Sequence, residues 1–346
     1  MPDSITPTRF LRRRSVRQRG DYRTIDISVV VPTYRRPHLL RRSLESLLKQ
    51  DFAPNRYEII VCDDGPDAET EALVARLAAP GKRRRASIRY IPVEATQGPA
   101  GARNCGWRAA RAPIIAFTDD DTIADRDWLS EGWRAMRPGV SAAGGRIDVP
   151  LPKTPTDYEL DVAGLAKAEF ATANCFVRKR VLERVGGFDE RYTAAWREDS
   201  DLQFAILATG GTIVRADNAL IFHPVRPAEW GVSIAQQKKS QFDVLLRRKY
   251  PAFYAKHIGR SPPSLYYLIL ASLAIAAIGL VTGEHALALA GLVGWLLFTA
   301  YFAFLRLRRT SHSARHMAEM IWTSIAIPPL SIFWRLHGAL KFDIKH

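Results

Sequence analysis

The sequence has few cysteines and no recognisable secretory leader. Its 346 residues include three cysteines, Cys62, Cys105 and Cys175, whose spacing fits neither a zinc motif nor a disulfide framework. We therefore expect three reduced, buried thiols. The N-terminus is basic but has no apolar core after its arginines, so we expect no secretory signal peptide.

Acidic residues are scarce relative to basic ones. There are 50 Lys and Arg against 35 Asp and Glu, which gives a net charge of +15. Such an excess indicates an anionic partner, either nucleic acid, anionic lipid or a phosphorylated ligand. Basic residues cluster at 10–23, 82–85 and 306–315, and the last cluster directly follows a long apolar stretch. This placement is more typical of a membrane surface than of nucleic-acid binding, so we expect no nucleic-acid partner.

Charged residues are absent from two long C-terminal stretches, about 265–282 and 286–305. Each is long enough, or nearly so, to cross a hydrocarbon layer of about 30 Å. A third apolar stretch, about 317–335, contains two adjacent prolines and predicts a third span or a re-entrant helix. The arginine-rich segment 306–316 should stay cytoplasmic, which predicts a multi-pass protein of the cytoplasmic (inner) membrane with its preceding domain on the cytoplasmic side. A buried helical hairpin in a soluble protein is the alternative.

The remainder of the chain predicts an α/β fold. Residues 26–225 alternate short Val- and Ile-rich runs with helical segments, which is typical of a largely parallel sheet. Residues 1–25 predict a flexible basic arm, residues 226–260 a basic helical connector, and residues 261–346 a membrane anchor. The predicted strands are 27–32, 58–62, 88–93 and 114–117, and the predicted helices are 37–50, 68–79 and 100–110.

Polar motifs follow the first two predicted strands, at the sheet edge where open α/β folds bind ligands. Pro32-Thr33-Tyr34-Arg35 end the first strand and alone predict only a turn. Asp63-Asp64-Gly65 end the second, and two adjacent carboxylates repel each other unless something is bound. A carboxylate here can accept hydrogen bonds from a nucleobase or a ribose. A helix-capping role is the alternative, but Asp67 can fulfil it.

Two further motifs favour phosphate and metal chemistry. The small-residue segment 98–106 opens the third helix, and Arg103 within it can pair with a phosphate or brace an aspartate. Asp119-Asp120-Asp121 follow the fourth strand. Carboxylate oxygens suit Mg²⁺ or Mn²⁺, which would neutralise the diphosphate of a leaving nucleotide. A turn or capping role for the three acids is the alternative.

The second half of the domain offers a candidate base. Residues 196–202 open an apolar helix that runs to about Ala208. Acids in a first helical turn are often caps, but Asp199 or its neighbours can also accept a proton from a hydroxyl. Trp196 can stack on a sugar ring. His223 ends a strand-like run, and it is either structural or a third metal ligand.

These motifs, in this order, resemble glycosyltransferase family 2, the inverting enzymes of the GT-A fold. The resemblance covers about residues 26–225 and implies a Rossmann-like mixed sheet, followed here by transmembrane helices of a non-processive, membrane-anchored type. It rests on Thr33-Tyr34, Asp63-Asp64-Gly65, Ala102-Arg103-Asn104-x-Gly106, Asp119-Asp120-Asp121, Gly186-Gly187-Phe188-Asp189, Glu198-Asp199-x-Asp201-Leu202 and His223-Pro224.

The resemblance also implies roles for individual residues. Asp199 would be the catalytic base, supported by Glu198 and Asp201, and Trp196 would contact the acceptor. Asp121 would hold a divalent metal, Mg²⁺ or Mn²⁺, with Asp119 and His223. The implied donor site comprises Pro32, Thr33, Tyr34, Arg35, Asp63, Asp64, Arg103, Asn104, Asp119 and Asp120, with Asp64 at the nucleobase.

The implied reaction is the inverting transfer of one sugar from a nucleoside-diphosphate sugar to a hydroxyl of a lipid or lipid-linked acceptor, in cell-envelope glycan or glycolipid synthesis. Processive synthases of the family carry a Gln-x-x-Arg-Trp motif, but residues 235–240 lack the Arg-Trp pair. Two alternatives stay open: a non-catalytic membrane protein that binds nucleotide sugars or polyanions, and a nucleotidyltransferase on a similar fold. The intact Asp119, Asp121 and Asp199 count against the first, and the Glu198-Asp199 segment counts against the second.

Overall fold

The computed structural model describes residues 25–79, 85–95, 98–259 and 264–342. The predicted basic arm (but for residue 25) and basic residues 82–84 lie outside these ranges. Within them, one eight-stranded sheet has the order β3-β2-β1-β4-β7-β6-β8-β5. The strands are β1 (Ile27–Thr33), β2 (Tyr57–Asp63), β3 (Ser87–Pro92), β4 (Ile114–Thr118), β5 (Ile123–Ala124), β6 (Ala142–Asp148), β7 (Asn174–Arg178) and β8 (Ile213–Phe222).

Helices cover the sheet and continue beyond it to the C-terminus. They are α1 (Pro37–Leu47), α2 (Ala68–Ala78), α3 (Pro99–Ala109), α4 (Trp128–Ala135), α5 (Asp157–Ala163), α6 (Lys179–Val185), α7 (Glu198–Ala208), α8 (Val232–Gln236), α9 (Ser240–Lys249), α10 (Pro251–His257), α11 (Ser264–Thr282), α12 (His285–Leu307) and α13 (Ala314–Lys341). Short 3₁₀ turns cover Gly164–Lys167 and Gln237–Lys239.

The first half of the sheet follows the sequence pattern closely. Every residue of β1, β2 and β4 is buried, as expected of central parallel strands covered on both faces. In α1, Leu40, Leu44 and Leu47 repeat at helical spacing and are buried against the sheet. The predicted cap of α2 is confirmed, because the side chain of Asp67 accepts hydrogen bonds from the backbone N–H groups of Glu69 and Thr70.

The second half of the sheet makes the fold mixed. Strand β7 runs antiparallel to both β4 and β6, whereas β6 pairs with β8 in parallel. The mixed sheet implied by the family resemblance is therefore confirmed, and the expectation of a largely parallel sheet holds only for β3-β2-β1-β4. Alternation of strands and helices did not identify β5, β6 or β7, because these strands are short or rich in Ala and Gly.

The parallel order brings the predicted motifs to one edge. Strands β1, β2 and β4 are neighbours and point the same way, so their carboxyl ends lie side by side. Thr33, Asp63 and Asp119 therefore stand at the same edge of the sheet, the edge where open α/β folds bind ligands.

Two of the described helices, α11 and α12, are long and apolar enough to cross a membrane. They form a tight hairpin in which backbones approach closely: a Cβ added at Gly279 would lie 2.3 Å from the backbone nitrogen of Ala288, and one at Gly291 equally close to that of Ala276. Glycine is therefore required at both positions, as in other small-residue helix contacts.

The segment after the hairpin is the single 28-residue helix α13, which continues through Pro328 and Pro329. One face of α13 contacts α9 and α12, while Ile321, Trp322 and Phe333 are exposed. The predicted connector contains α8, α9 and α10, and α9 is packed into the fold, because its Phe242 and Leu245 join a buried cluster with Tyr192.

Candidate active site

The three acids after β4 point in different directions. Asp119 accepts a hydrogen bond from an Arg103 Nη atom at 2.8 Å. Asp120 is buried, accepts from the Thr33 hydroxyl at 2.7 Å and lies 3.2 Å from Arg36. Burial nevertheless raises the pKa of Asp120 to about 7.

Asp121 faces β8 and the segment after it. Its carboxylate lies 3.5 Å from His223 Nε2 and 3.0 Å from Arg226 Nε. One ligand atom each from Asp119, Asp121 and His223 can be chosen so that all three lie within 4.8 Å of one another. Two carboxylates and an imidazole form a donor set that suits Mn²⁺ or Mg²⁺.

The surroundings of these donors fit a bound cation. His223 Nδ1 is buried without a hydrogen-bond partner in the described part of the chain. Burial by itself would raise the pKa of Asp119, but Arg103 and His223 outweigh it and hold that pKa below its usual value. Asp119 is therefore ionised at physiological pH, as a carboxylate ligand of a cation must be.

Another part of the cavity lies at the ends of β1 and β2. Asp64 accepts the Gly98 N–H at 2.7 Å, while its Oδ1 atom is buried without a hydrogen-bond partner among the described residues. Burial raises the pKa of Asp64 above its usual value. The Tyr34 ring covers Gly65 so closely that a Cβ at Gly65 would lie 2.5 Å from it. Asp64 thus has one oxygen left to accept a hydrogen bond from a ligand.

Three residues predicted for the donor site, Arg35, Asp63 and Asn104, do not line the cavity. Asp63 is buried and serves the turn, accepting hydrogen bonds from the Tyr90 hydroxyl at 2.9 Å and from the Asp67 N–H at 3.3 Å. Arg35 is exposed, with φ of 50°, and lies over the Tyr34 ring. Its neighbour Arg36, which sequence reasoning missed, turns towards the acids instead.

Arg103 connects the two halves of the site. It is 2% exposed, and its guanidinium bridges Asp119 after β4 and Glu198 at the start of α7, the latter at 3.1 Å. Asn104, beside it, does not line the cavity. Its amide is fully engaged with the turn at Gly187 and Phe188, donating to Phe188 O at 2.9 Å and accepting from Phe188 N at 2.9 Å.

The candidate base lies at the start of α7. Arg197 adopts a left-handed conformation, with φ of 72°, and directs the next two residues towards the cavity. Glu198 is buried against Arg103, and burial raises its pKa to about 7. Asp199 lines the cavity, its Oδ1 accepts the Ser200 N–H at 2.6 Å, and burial raises its pKa. A raised pKa makes a carboxylate a stronger base near neutral pH.

Asp201 has a different environment from the two acids before it. It lies outside the cavity, where it pairs with Lys249 at 2.6 Å and accepts from the Tyr192 hydroxyl at 3.1 Å. These contacts fasten the first turn of α7 to α9. Trp196, predicted to contact the acceptor, lines the cavity, and its indole N–H donates a hydrogen bond to Asp243 at 3.2 Å.

One cavity of about 600 Å³ is lined both by the residues after β1, β2 and β4 and by those at the start of α7. The sequence-predicted residues that line it are Pro32, Thr33, Tyr34, Asp64, Arg103, Asp119, Asp120, Asp121, Trp196, Glu198, Asp199 and His223. Those that do not are Arg35, Asp63, Asn104 and Asp201.

The cavity also contains cations that sequence reasoning missed, Arg36, Arg226 and Lys239. Arg226 lies three residues after His223, and Lys239 lies in the basic connector, so position next to a motif was the only available signal. Burial lowers the pKa of Lys239. These side chains are cations that can pair with phosphate oxygens, although Arg36 and Arg226 are paired with Asp120 and Asp121 in this structure.

The mixed sheet, with acidic residues at its edge beside the cavity, has the architecture of the GT-A fold. The structure is similar to that of the mannosyltransferase PcManGT from Pyrobaculum calidifontis, solved in complex with GDP-Man and Mn²⁺. The TM-score is 0.53 at 20% identity, over 93% of this chain and 89% of that chain. This likeness establishes the shared fold.

Sequence comparison identifies the family. Residues 28–199 match Glycosyl transferase family 2, and residues 114–334 match Glycosyl transferase family group 2. The chain therefore belongs to glycosyltransferase family 2, and it is a glycosyltransferase.

Two curated relatives illustrate the range of the family. Glycosyltransferase AglE of Haloferax volcanii is 25% identical over 213 residues, which cover 58% of this chain and 67% of AglE. The UDP-Glc:alpha-D-GlcNAc-diphosphoundecaprenol beta-1,3-glucosyltransferase WfgD of Escherichia coli is 33% identical over 97 residues, which cover 28% of this chain and 35% of WfgD. The chain thus spans only part of the curated relatives that it matches.

Proposed function

We propose that this protein transfers one sugar, with inversion, from a nucleoside-diphosphate sugar to a hydroxyl of a lipid or lipid-linked acceptor, in a metal-dependent reaction of cell-envelope glycan or glycolipid synthesis. The observation that carries the proposal is the shared cavity, which is lined both by Asp119, Asp121 and His223 and by a base candidate, Asp199. A donor and an acceptor bound between these groups would meet at the anomeric carbon.

The donor side is assigned by its hydrogen-bonding capacity. Asp64 has a free buried oxygen for a nucleobase N–H or a ribose hydroxyl, and Thr33 and Tyr34 line the same part of the cavity. Asp119, Asp121 and His223 would hold Mg²⁺ or Mn²⁺, which when bound neutralises charge on the donor diphosphate. Arg36 and Arg226, now paired with the acids, would turn to the diphosphate oxygens.

The acceptor side supplies the base. The acceptor hydroxyl gives its proton to Asp199, and its oxygen forms a bond to the anomeric carbon. On the opposite face, the bond between that carbon and the diphosphate oxygen breaks, so the nucleoside diphosphate leaves and the configuration inverts. Glu198 and Arg103 hold the start of α7, and Trp196 offers an aromatic face to a sugar. Asp201 contributes by fastening α7 to Lys249.

A membrane-bound acceptor is supported by the C-terminal helices. The hairpin α11–α12 exposes large apolar side chains such as Leu280 and Val281, which are 72% and 88% exposed. We assign residues 26–225 to the catalytic domain, residues 226–260 to the connector and residues 261–346 to the membrane anchor. The catalytic domain would lie at the cytoplasmic face of the inner membrane. WfgD, whose name specifies a diphosphoundecaprenol-linked acceptor, supports the same acceptor class.

The first test is a thermal-shift screen of detergent-purified protein against UDP, GDP, dTDP and CDP, each with and without Mn²⁺. We expect metal-dependent stabilisation by one nucleoside diphosphate, because a ligand that binds only the folded state raises its stability. The matching nucleotide sugar is then offered with a polyprenyl-diphosphate-linked N-acetylglucosamine acceptor. Transfer to no lipid-linked acceptor, together with transfer to a water-soluble sugar, would contradict the acceptor assignment.

A further inference from the structure

Segment 196–199, which carries the candidate base Asp199, contains a non-glycine residue with a positive φ. Arg197, directly before Glu198, has φ of 72°, a left-handed conformation that is unfavourable for a residue with a Cβ. Such a conformation persists only where surrounding contacts impose it. The contacts made by Trp196 and Arg197 therefore hold this backbone conformation.

The side chains of Trp196 and Arg197 both donate hydrogen bonds to the carboxylate of Asp243. Asp243, on α9, accepts a hydrogen bond from Trp196 Nε1 at 3.2 Å and another from Arg197 Nε at 2.7 Å. Asp243 is 3% exposed, so these are charge-assisted contacts out of water. Asp243 thus fixes the two residues that immediately precede Glu198 and Asp199.

The second oxygen of Asp243 binds the C-terminal helix. An Nη atom of Arg335, on α13, donates to Asp243 Oδ2 at 2.7 Å. The two helices are in close contact here, because a Cβ added at Gly338 would lie 2.7 Å from Gln241 O on α9. Phe342, just after α13, joins the buried cluster of Tyr192 and Phe242, against which Trp196 packs.

We propose that Asp243 and Arg335 are positioning residues for transfer, and that α13 completes the active site by holding segment 196–199 through Asp243. This inference rests on the proposed function, in which Asp199 is the base. It gives α13 a part in catalysis although α13 does not line the cavity.

The geometry predicts which kinetic step depends on this chain of contacts. The nucleotide and metal residues lie at the ends of β1, β2, β4 and β8, and none of them contacts Asp243. Loss of Asp243 or Arg335 should therefore change the orientation of Asp199 without changing nucleotide binding. Misplacement of a reacting group by about 1 Å lowers rates by up to about 100-fold.

The experiment compares Asp243→Asn, Arg335→Gln and Arg335→Lys in the full-length, detergent-purified protein. Matched controls are Asp217→Asn, an exposed carboxylate on β8, and Arg315→Gln, an exposed arginine on α13. We expect kcat to fall about 10- to 100-fold in Asp243→Asn and Arg335→Gln, with partial recovery in Arg335→Lys and no change in the controls. Affinity for the nucleoside diphosphate that stabilises the wild type should stay within about twofold.

Two results would overturn the inference. Wild-type kcat in Asp243→Asn and Arg335→Gln would show that segment 196–199 keeps its conformation without them. Equal losses of nucleotide affinity and kcat would show a general structural role instead. If Asp243→Asn does not fold, the Arg335→Gln and Arg335→Lys pair decides the matter. Absence of transfer by the wild type would be a failure of the proposed function, and is therefore distinguishable from a failure of this inference.

Discussion

Removal of the guanidinium of Arg103 should be the most costly single change in the site. In Arg103→Met, Asp119 and Glu198 both lose their partner, while the apolar part of the side chain keeps its packing. Glu198 is 3% exposed and its carboxylate would be left in a dry environment, whereas Asp119 is a quarter exposed and has His223 and Arg36 nearby. Leaving one buried charge without its partner costs about 3–5 kcal/mol, and we assign most of this to Glu198.

This loss of stability can be measured by thermal unfolding. A change of 1 kcal/mol shifts the Tm of a domain of 150–250 residues by about 2–4 °C, so we expect Arg103→Met to lower the Tm by about 10 °C. The matched control is Arg108→Met on the same helix, where the arginine is 54% exposed and pairs with Glu190 at 3.5 Å. Exposed pairs contribute about 0–1 kcal/mol, so this variant should melt close to the wild type.

The pH dependence and a second substitution test the assigned cause. Burial already raises the pKa of Glu198 to about 7, and loss of Arg103 raises it further. Protonation of Glu198 at low pH removes the unpaired charge, so the deficit of Arg103→Met should be smaller at pH 5.5 than at pH 8. Glu198→Gln should likewise restore part of the stability in the double variant. If Arg103→Met lost no more stability than Arg108→Met, or if its loss did not depend on pH, the loss could not be assigned to an unpaired Glu198 carboxylate.

Three other predictions follow from the site and the hairpin. Asp121→Ala should abolish the Mn²⁺-dependent part of nucleoside-diphosphate stabilisation in thermal shift, and unchanged metal dependence would exclude Asp121 as a ligand. Because burial raises the pKa of Asp199, the transfer rate should fall as the pH drops through a value above 3.8, and a rate that stays flat down to pH 4 would contradict a base at this position. Gly279→Val should push α11 from α12 and lower detergent stability, measured as Tm, whereas Gly283→Ala in the exposed turn, strained only by its φ of 75°, should cost about 1 kcal/mol.

Sequence patterns predicted the first half of the sheet well, because its central strands are apolar and buried. Strands β1, β2 and β4 are continuous apolar runs, each followed by polar residues, and their parallel order places these residues at one edge. The N-terminal starts of α2 and α7 were also recognisable from the acids in their first turns. The family resemblance supplied the mixed sheet that periodicity alone did not.

Other features depend on side-chain direction, which residue type does not specify. Asp63 and Asp64 are adjacent and identical, yet one serves the turn and the other the cavity, because successive residues at a strand end point to opposite sides. After β1, Arg35 adopts a left-handed conformation with φ of 50°, and it is Arg36 that reaches the acids. Contacts such as Asp243 with Arg335 join residues 92 positions apart, so no local pattern predicted them.

The most direct test of the central claim is the transfer rate of Asp199→Asn, measured beside its affinity for the stabilising nucleoside diphosphate. We expect the transfer rate to fall by about 100-fold or more while nucleotide affinity stays near that of the wild type, because the amide that replaces the Asp199 carboxylate cannot take the proton of the acceptor hydroxyl. Asp217→Asn, an exposed carboxylate replaced in the same way, should transfer at the wild-type rate. Transfer by Asp199→Asn at the wild-type rate would contradict the account.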